Sequence, residues 1–332
     1  MSLANDLHLN PAEETERIAG TLRQQLGELL NRRGLVVGMS GGIDSSVCAA
    51  LAVRAVGPRH VFGLMMPEQD SEGDSLVLAE RWADALGIPH AVEDITPALA
   101  ALGCYRRRNA AIRRVVPGFQ DHWRFKVVIP GGRLDSDRLN VSSLAVEVPA
   151  PDGRHEVRQV RLPPAEYREI VAATNFKQRV RAMLEYFHAD RLHYAVVGTP
   201  NRLEYDQGFF VKGGDGLADV KPIAHLYKTQ VYELAEFLGV PAEIRARTPT
   251  TDTYPLPQTQ EEFYFSLPTA SLDLVLHAHN VGLDPAVVAT ELGRTPDEAT
   301  RALRDIDQKR AATRYLHLPP LLVDPVLERE PV

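Results

Sequence analysis

The sequence predicts an α/β fold in which a Rossmann-like parallel sheet carries helices on both faces. Short apolar segments alternate with amphipathic helical segments along most of the chain, which is typical of parallel βαβ units. Glycine and proline follow several of the helical segments and end them. A third observation, apolar–polar alternation within about 124–162, predicts a small antiparallel insert of β-strands.

The elements follow in chain order. Asn10 caps and Pro11 begins a helix over about 11–33, which Gly34 ends. Strands are predicted at 34–39, 61–67, 90–95 and 194–199. Further helices are predicted at 46–55, at 74–86 with Asp74 as its cap, from about 97, at 174–189 and at 228–239.

We expect one domain over the whole chain, 1–332. Its parts are the N-terminal helix at about 11–33, a core at about 34–103 and 166–262, a β-rich insert at about 104–165 around a Pro-Asp-Gly turn, and a helical C-terminal segment at about 263–332. The arginines between 106 and 114 predict a solvated helix face at the start of the insert.

The composition argues against several classes of protein. The net charge of −7 and the sequence pI of about 5.9 disfavour a nucleic-acid-binding surface. No apolar run reaches the roughly 18 residues of a membrane-spanning helix, and the N-terminus has no signal-peptide pattern. The two cysteines, Cys48 and Cys104, form neither a CxxC pair nor a disulfide framework, so a reducing cytoplasm is expected.

The loop Ser40–Ser46, with the sequence SGGIDSS, follows the first predicted strand and opens a helix. Its glycines allow close backbone approach to a ligand, and the N-terminal N–H groups of the helix favour an anion. The loop therefore predicts a phosphate site. It lacks the lysine of a Walker A loop, and it places the carboxylate of Asp44 beside the phosphate. A cation is then required between the two, and Mg²⁺ is the natural choice.

The string SGGIDSS resembles the pyrophosphate-binding loop of the N-type ATP pyrophosphatases. Three further segments resemble the ammonia-dependent NAD synthetases of that superfamily, and they begin at Asn175 (NFKQRVRAML), at Val196 (VVGTPNRLEYDQGFFVKGGDGLADVKPIAHLYKTQVYELAEFLGVPAEI) and at Thr248 (TPTTDTYPLPQTQEE). The resemblance covers roughly 34–103 and 174–262. It implies a fold of the adenine nucleotide alpha hydrolase type. It also implies conversion of deamido-NAD, ATP and ammonia to NAD, AMP and pyrophosphate through an adenylated carboxylate.

The resemblance assigns roles to individual residues. The matching ATP-binding positions are Ser40, Gly41, Gly42, Asp44, Ser45, Ser46, Thr199, Lys228 and Thr250. The matching Mg²⁺ ligands are Asp44 and Glu204, and the matching positions for deamido-NAD are Arg179, Lys212, Asp215, Asp219, Lys309 and Arg310. Asp44 and Lys228 are the expected catalytic residues, because positive charge at the phosphates must be held in place while an anionic carboxylate approaches them.

Three departures from the family lie on the acceptor side. The insert lengthens the chain, Gln260 replaces the first carboxylate of an acidic pair with no Leu-Gly after it, and only Gln308-Lys309-Arg310 stands for a C-terminal His-Lys-Arg segment. Two alternatives therefore stay open. One is an amide ligase for another carboxylate, and the other is a nucleotide-binding protein without turnover. A tRNA-thiolating enzyme is disfavoured, because it needs catalytic cysteines. The resemblance also implies a homodimer, and free ammonia or a separate glutaminase as nitrogen source.

Overall fold

The strands form two sheets in the computed structural model, which describes residues 3–128, 142–149, 154–250, 253–265 and 267–324. The strands are β1 (Leu35–Gly38), β2 (Val61–Met65), β3 (His90–Val92), β4 (Phe125–Val128), β5 (Ser143–Pro149), β6 (His155–Arg161) and β7 (Ala195–Val197). One sheet is parallel with the order β3-β2-β1-β7, and the other is antiparallel with the order β4-β5-β6.

Helices account for most of the remaining described residues. They are α1 (Leu3–Asp6), α2 (Pro11–Gln24), α3 (Ile43–Val56), α4 (Gly73–Leu86), α5 (Thr96–Ala101), α6 (Cys104–Val115), α7 (Pro164–Thr174), α8 (Phe176–Leu192), α9 (Arg202–Gln207), α10 (Lys228–Phe237), α11 (Ala242–Arg245), α12 (Gln260–Phe263), α13 (Thr269–Val281), α14 (Pro285–Leu292) and α15 (Pro296–His317). A π-helical segment, Gln25–Leu30, continues α2.

Two of the predicted helix ends are wrong. The N-terminal helix ends at Asn31 and not at Gly34, because Asn31 adopts the left-handed conformation (φ 48°) that asparagine tolerates at a helix C-terminus. The cap of α4 is Glu72, and Asp74 lies inside its first turn.

Side chains of the parallel sheet alternate between two apolar clusters. Leu35 and Val37 of β1 pack with residues of α2, α3 and α10 on one face. Val36 points to the opposite face and packs with residues of α5 and α8. This alternation follows from the two-residue period of a strand. The predicted fold class, a parallel sheet with helices on both faces, is confirmed.

The chain order in this sheet creates a cleft between β1 and β7. From β1 the chain proceeds through β2 to β3 on one side, and β7 then pairs with β1 on its other side. Loops that follow β1 and β7 therefore leave the sheet in opposite directions. Ligands of open α/β sheets bind at this kind of switch point, beyond the carboxyl ends of the strands.

The insert contains helix as well as sheet. Strands β5 and β6 pair in register from Ser143↔Arg161 to Pro149↔His155, as expected for a hairpin. The Pro-Asp-Gly turn that joins them lies outside the described residues. The β-rich insert was expected from 104, but 104–115 is helical and packs its apolar side on the insert core with α7. The division into core, insert and C-terminal segment stays a proposal.

One residue of the arginine-rich helix contradicts the prediction of a solvated face. Arg106 and Arg107 on α6 are exposed, but Arg108 is only 2% exposed. Its guanidinium lies over the rings of Tyr105 and Phe125, at 5.3 and 4.8 Å from their centroids. Arg108 is therefore part of the interior.

The C-terminal helices α13, α14 and α15 form a separate apolar cluster. Leu3 and Leu7 from the N-terminus join it, as do Leu203 of α9 and Tyr227. The cluster thus supports the segments that carry α9 and α10. None of the helices in the described residues has the length and apolarity that crossing a membrane requires.

Candidate functional site

A cavity of about 520 Å³ opens at the carboxyl ends of the parallel strands. Its wall consists of the loops after β1, β2 and β7, one face of α8, and residues within 244–250, at 253–254 and at 260, 263 and 264. This volume lies within the range of small-molecule sites in proteins. The cavity occupies the place where the sheet order reverses.

The SGGIDSS loop forms the floor of the cavity. Gly42 is the N-cap of α3 and provides no capping side chain, so the first N–H groups of this 14-residue helix face the loop. The hydroxyls of Ser45 and Ser46 donate to the Gly42 carbonyl at 3.1 and 2.8 Å. Ser40, Gly41, Gly42, Asp44 and Ser45 line the cavity, whereas Ser46 is buried beneath it.

Gly41 is where this loop demands glycine. Its φ is +74°, and a Cβ atom there would lie 2.2 Å from the carbonyl oxygen of Ser75. We expect Gly41→Ala to destabilise the protein by about 2 kcal/mol or more, because the left-handed conformation alone costs about 1–2 kcal/mol. Binding of an ATP analogue should weaken with it. Thermal unfolding and calorimetric titration measure both effects.

Gly73→Ala is the matched control for this substitution. Gly73 begins α4 beside the same cavity wall, and nothing lies within 4 Å of the Cβ position there. The control should keep the melting temperature and the analogue affinity of the parent protein. Wild-type behaviour of Gly41→Ala would show that the loop has room for a side chain and does not approach the ligand closely.

Asp44, Asn201, Glu204 and Lys228 meet at the start of α3. Asp44 forms an ion pair with Lys228, and its Oδ1 accepts a hydrogen bond from Asn201 Nδ2 at 3.1 Å. The backbone N–H of Asn201 donates to Glu204 Oε2 at 3.1 Å, as part of the capping box of α9. The structure thus brings together residues separated by up to 184 positions.

The electrostatics of this cluster indicate a shortage of positive charge. Burial and the nearby Asp44 carboxylate raise the pKa of Glu204 above its usual range. Burial alone would lower the pKa of Lys228, but the carboxylates of Asp44 and Glu204 raise it. Two carboxylates therefore share one buried ammonium, so the cluster favours an additional cation.

The donor set fits Mg²⁺. Asp44 and Glu204 provide oxygen ligands, and the described residues contain no group of three or more His, Cys, Asp or Glu side chains that could enclose a metal. Mg²⁺ is usually held by one or two carboxylates, with water and phosphate oxygens completing its shell. An ion here would be shared between the protein and a nucleotide.

Three more of the predicted residues lie in the cavity lining, and a fourth, Asp219, does not. Thr199, Thr250 and Asp215 line the cavity. Asp215 accepts a hydrogen bond from the Val211 N–H at 2.7 Å, and burial raises its pKa to about 6. Asp219 does not line the cavity, and its carboxylate accepts from the Val196 N–H at 2.8 Å.

Four predicted basic substrate contacts lie outside the cavity lining. Arg179 Nε donates to the Lys212 carbonyl at 3.3 Å, and Lys212 Nζ donates at 2.8 Å each to the carbonyls of Tyr315, in the last turn of α15, and of Leu318, just after it. Lys309 is buried and lies 2.8 Å from Asp305. Arg310 binds both carboxylate oxygens of Asp206, at 2.6 and 2.7 Å. Their role as substrate contacts stays a prediction.

Sequence reasoning missed several residues on the cavity face of α8. Gln178, Arg181, Ala182 and Glu185 all line the cavity. Burial and the charge of Asp215 raise the pKa of Glu185 to about 8. Their helical spacing is the signal that could have identified them, because residues three and four apart share one face.

Gln260, the residue that departs from the family pattern, contacts the cluster directly. Its amide Nε2 donates to Glu204 Oε1 at 2.8 Å. The amide thus stabilises the carboxylate form of Glu204 and adds no negative charge of its own.

Comparisons with known proteins agree with this geometry. The model of the NAD synthase family matches residues 14–116 and 143–315. A relative from Rhizobium rhizogenes, named NH(3)-dependent NAD(+) synthetase, is 55% identical over 98% of this chain and 97% of its own length. One of the same name from Mesorhizobium japonicum is 57% identical over 95% of this chain and 98% of its own.

Solved structures agree in fold. An NH3-dependent NAD synthetase from Campylobacter jejuni superposes with a TM-score of 0.58 at 20% identity, covering 95% of this chain and 100% of that one. An NMN synthetase from Francisella tularensis gives a TM-score of 0.61 at 22% identity, covering 95% and 99%. The extent of the family match and the identity to full-length relatives lead to one conclusion. The chain belongs to the NAD synthase family.

Proposed function

We propose that the chain is an ammonia-dependent NAD synthetase, which converts deamido-NAD, ATP and ammonia to NAD, AMP and pyrophosphate. The observation that carries the proposal is the cluster of Asp44, Glu204 and Lys228 at the N-terminus of α3, beside the cavity. Relatives that are 55% and 57% identical over nearly the whole chain bear this name.

The chemistry needs activation of a carboxylate. Hydroxide is a poor leaving group, so the carboxylate oxygen of deamido-NAD first attacks the α-phosphorus of ATP and releases pyrophosphate. Ammonia then attacks the carboxyl carbon, the bond from that carbon to the AMP oxygen breaks, and the nitrogen loses a proton. In the first step an anion approaches a polyanion, so the barrier depends on how phosphate charge is neutralised.

This chain neutralises that charge with groups that are already in place. The SGGIDSS loop and the N-terminus of α3 form the cavity floor, where the phosphates would bind. Lys228 is buried just outside the cavity lining and pairs with Asp44 at that floor. Mg²⁺, held by Asp44 and Glu204, would supply further positive charge to the phosphate oxygens. Because these groups are fixed before the reaction, little reorganisation is needed during it.

The nitrogen source is proposed to be free ammonia or a separate glutaminase. Both cysteines are free and buried. Burial raises the pKa of the Cys104 thiol to about 11 and that of Cys48 well above its usual value, so neither forms the thiolate that a glutaminase nucleophile requires. A cytoplasmic location stays a prediction.

A pyrophosphate-release assay with ATP, Mg²⁺ and ammonium, with and without deamido-NAD, tests the proposal when NAD is measured in the same tube. NAD should appear in step with pyrophosphate. Pyrophosphate release with a different carboxylic acid, but not with deamido-NAD, would indicate an amide ligase with another acceptor. Binding of ATP without release under any condition would indicate a nucleotide-binding protein.

We also propose that the chain forms a homodimer through the outer face of α8. Met183 and Phe187 lie one helical turn apart on this face and are 60% and 57% exposed. Large apolar side chains grouped in this way mark an interaction surface.

The mass of the particle in solution tests the dimer. We expect a dimeric wild type and a largely monomeric Met183→Glu/Phe187→Glu variant, because two buried carboxylates would oppose association. Light scattering after size exclusion gives the mass. Val77→Glu, at an exposed apolar residue on α4, should remain dimeric. A monomeric wild type, or a dimeric double variant, would contradict the proposal.

A further inference from the structure

Four charged side chains are buried at the cavity wall and take no part in the Asp44 cluster, and one of them, Lys177, also lines the cavity. The exposed fractions of the side chains are 0% for Glu68, 7% for Asp70, 2% for Arg108 and 1% for Lys177. Two acids face two bases, so the group is balanced in charge. We refer to these four residues as the buried charge network.

Lys177 is the centre of the network. Its Nζ donates to Glu68 Oε1 at 2.7 Å, to Asp70 Oδ2 at 2.8 Å and to the Thr253 carbonyl at 2.8 Å. These bonds use all three protons of the ammonium group. Lys177 therefore ties α8 to the 67–72 loop, which follows β2, and to the segment at Thr253.

Helix α6 contributes the other cation. Arg108 Nη1 donates to Asp70 Oδ2 at 2.5 Å, and Arg108 Nε donates to Asn109 Oδ1 at 3.1 Å. Tyr105, one turn earlier on the same helix, donates through its hydroxyl to Glu68 Oε2 at 2.8 Å. Glu68 and Asp70 are thus each held from two helices, α6 and α8.

The network borders the cavity on two sides. Lys177 and Thr253 line the cavity, as do Ser71 and Glu72 at the end of the 67–72 loop. Glu72 accepts from Arg247 at 2.7 Å, which connects the loop to the segment that leads to Thr250. The loop is bonded to α8 through Lys177 and to the chain before Thr250 through Glu72. Its position is therefore coupled to that of both of these parts of the cavity wall.

Stability alone does not account for four buried charges. Desolvation of buried ion pairs consumes most of their mutual attraction, and well-packed apolar residues are often as stable in their place. Charged pairs with directed hydrogen bonds do provide a single position for the segments that they join. Here these segments are the 67–72 loop, α8, α6 and the chain at Thr253.

We propose that Arg108 and Lys177 are positioning residues, which hold the 67–72 loop in the place where it completes the ATP cavity. Helix α6 is then part of the support of the ATP site, because it anchors that loop. The inference rests on the proposed ATP-binding function of the cavity. It assigns no contact with the reacting atoms to either residue.

Arg108→Met tests the inference with Arg107→Met as matched control, since Arg107 is the exposed neighbour on α6. We expect Arg108→Met to raise KM for ATP and the Kd of a non-hydrolysable ATP analogue about tenfold, with kcat within about twofold. KM and Kd should rise while kcat stays nearly constant, because a displaced 67–72 loop weakens the binding of ATP in the ground state and in the transition state alike. Arg108→Lys should recover part of the affinity, and Arg107→Met should match the wild type.

A balanced variant separates positioning from simple charge imbalance. Asp70→Asn/Arg108→Met removes one acid and one base and leaves Lys177 paired with Glu68, so it should fold even if the single variant does not. We expect the same loss of affinity for the analogue. Wild-type affinity in this double variant would overturn the inference. So would a fall in kcat with unchanged analogue binding in Arg108→Met.

Binding of the analogue can be measured whether or not the chain catalyses the proposed reaction, so it tests this inference separately from that reaction. If deamido-NAD proves not to be the acceptor but the chain binds ATP, the variants still decide the role of the network. If the wild type binds no ATP, the proposed function itself fails, and the inference is overturned with it.

Discussion

Replacing Asp44 by asparagine is expected to lower kcat for pyrophosphate release at least about 10³-fold, while the protein stays folded. Asp44 positions Lys228 and is a proposed Mg²⁺ ligand, so one substitution removes two sources of charge neutralisation. Loss of a single preorganised electrostatic group costs about 10²–10³-fold in kcat. The measurement is the rate of pyrophosphate release at saturating ATP and Mg²⁺.

The folded state should tolerate this change at moderate cost. Removal of one partner of a buried ion pair usually costs about 3–5 kcal/mol, because the other charge is left alone. Here the Glu204 carboxylate stays close to the Lys228 ammonium and also raises its pKa. The loss should therefore be smaller, and the melting temperature should show a cooperative transition.

Asp74→Asn is the control for a lost carboxylate near the cavity. Asp74 is exposed in the first turn of α4, next to Ser75 of the cavity wall. It should keep the rate and Mg²⁺ dependence of the wild type. Unchanged turnover in Asp44→Asn would remove Asp44 from both the metal site and the phosphate site.

The phosphate-binding loop could be predicted from the sequence because the features that identify it are adjacent in the chain. An apolar strand, a glycine-containing loop and a helix are adjacent in Val36–Ala50, and the structure has them in that order. Lys228 and Glu204 are far away in the sequence. Glu204 follows β7, and the carboxyl ends of parallel strands meet at the same edge, so its proximity to Asp44 follows from a general rule. Lys228 begins α10 and follows no strand of this sheet, so its expected place came from the family resemblance.

Partners of long basic side chains could not be predicted in the same way. Five arginines within nine residues predict a solvated helix face, yet Arg108 is buried because Asp70 and Phe125, distant in sequence, surround it. Lys212 likewise donates to carbonyls at the end of α15. Tertiary contacts decide these pairings, and no periodicity in the sequence encodes them.

The substitution Glu204→Gln is expected to reduce turnover by about 10²-fold or more and to change the pH dependence of stability. The amide of glutamine is a weaker Mg²⁺ ligand than a carboxylate. It also has only one oxygen that can accept hydrogen bonds, whereas both carboxylate oxygens of Glu204 do so. Those two oxygens accept from Asn201 N–H and Gln260 Nε2 in the wild type. One hydrogen bond is therefore lost, which costs about 1 kcal/mol.

The pH effect follows from the raised pKa. In the folded, ligand-free protein, burial and Asp44 hold the pKa of Glu204 above the ordinary 4.5. As the pH rises above 4.5, the unfolded chain releases this proton more readily than the folded one, so wild-type stability declines toward neutral pH. Glutamine carries no such proton. The melting temperature of the variant, relative to wild type, should therefore rise between about pH 4.5 and pH 7.

A control of opposite sign is available at Glu298, whose pKa is lowered, first by the hydrogen bond from the Thr295 N–H. A carboxyl group whose pKa is lowered in the folded state stabilises that state at pH values above its ordinary pKa. Glu298→Gln lacks this contribution, so its melting temperature should fall relative to wild type as the pH rises through the acid range. Adding Mg²⁺ and ATP should stabilise wild type more than Glu204→Gln, since Mg²⁺ would offset the repulsion between Asp44 and Glu204. A pH-independent difference between Glu204→Gln and wild type would mean that the carboxylate of Glu204 is already well compensated inside the protein, and the argument for a missing cation at this cluster would fail.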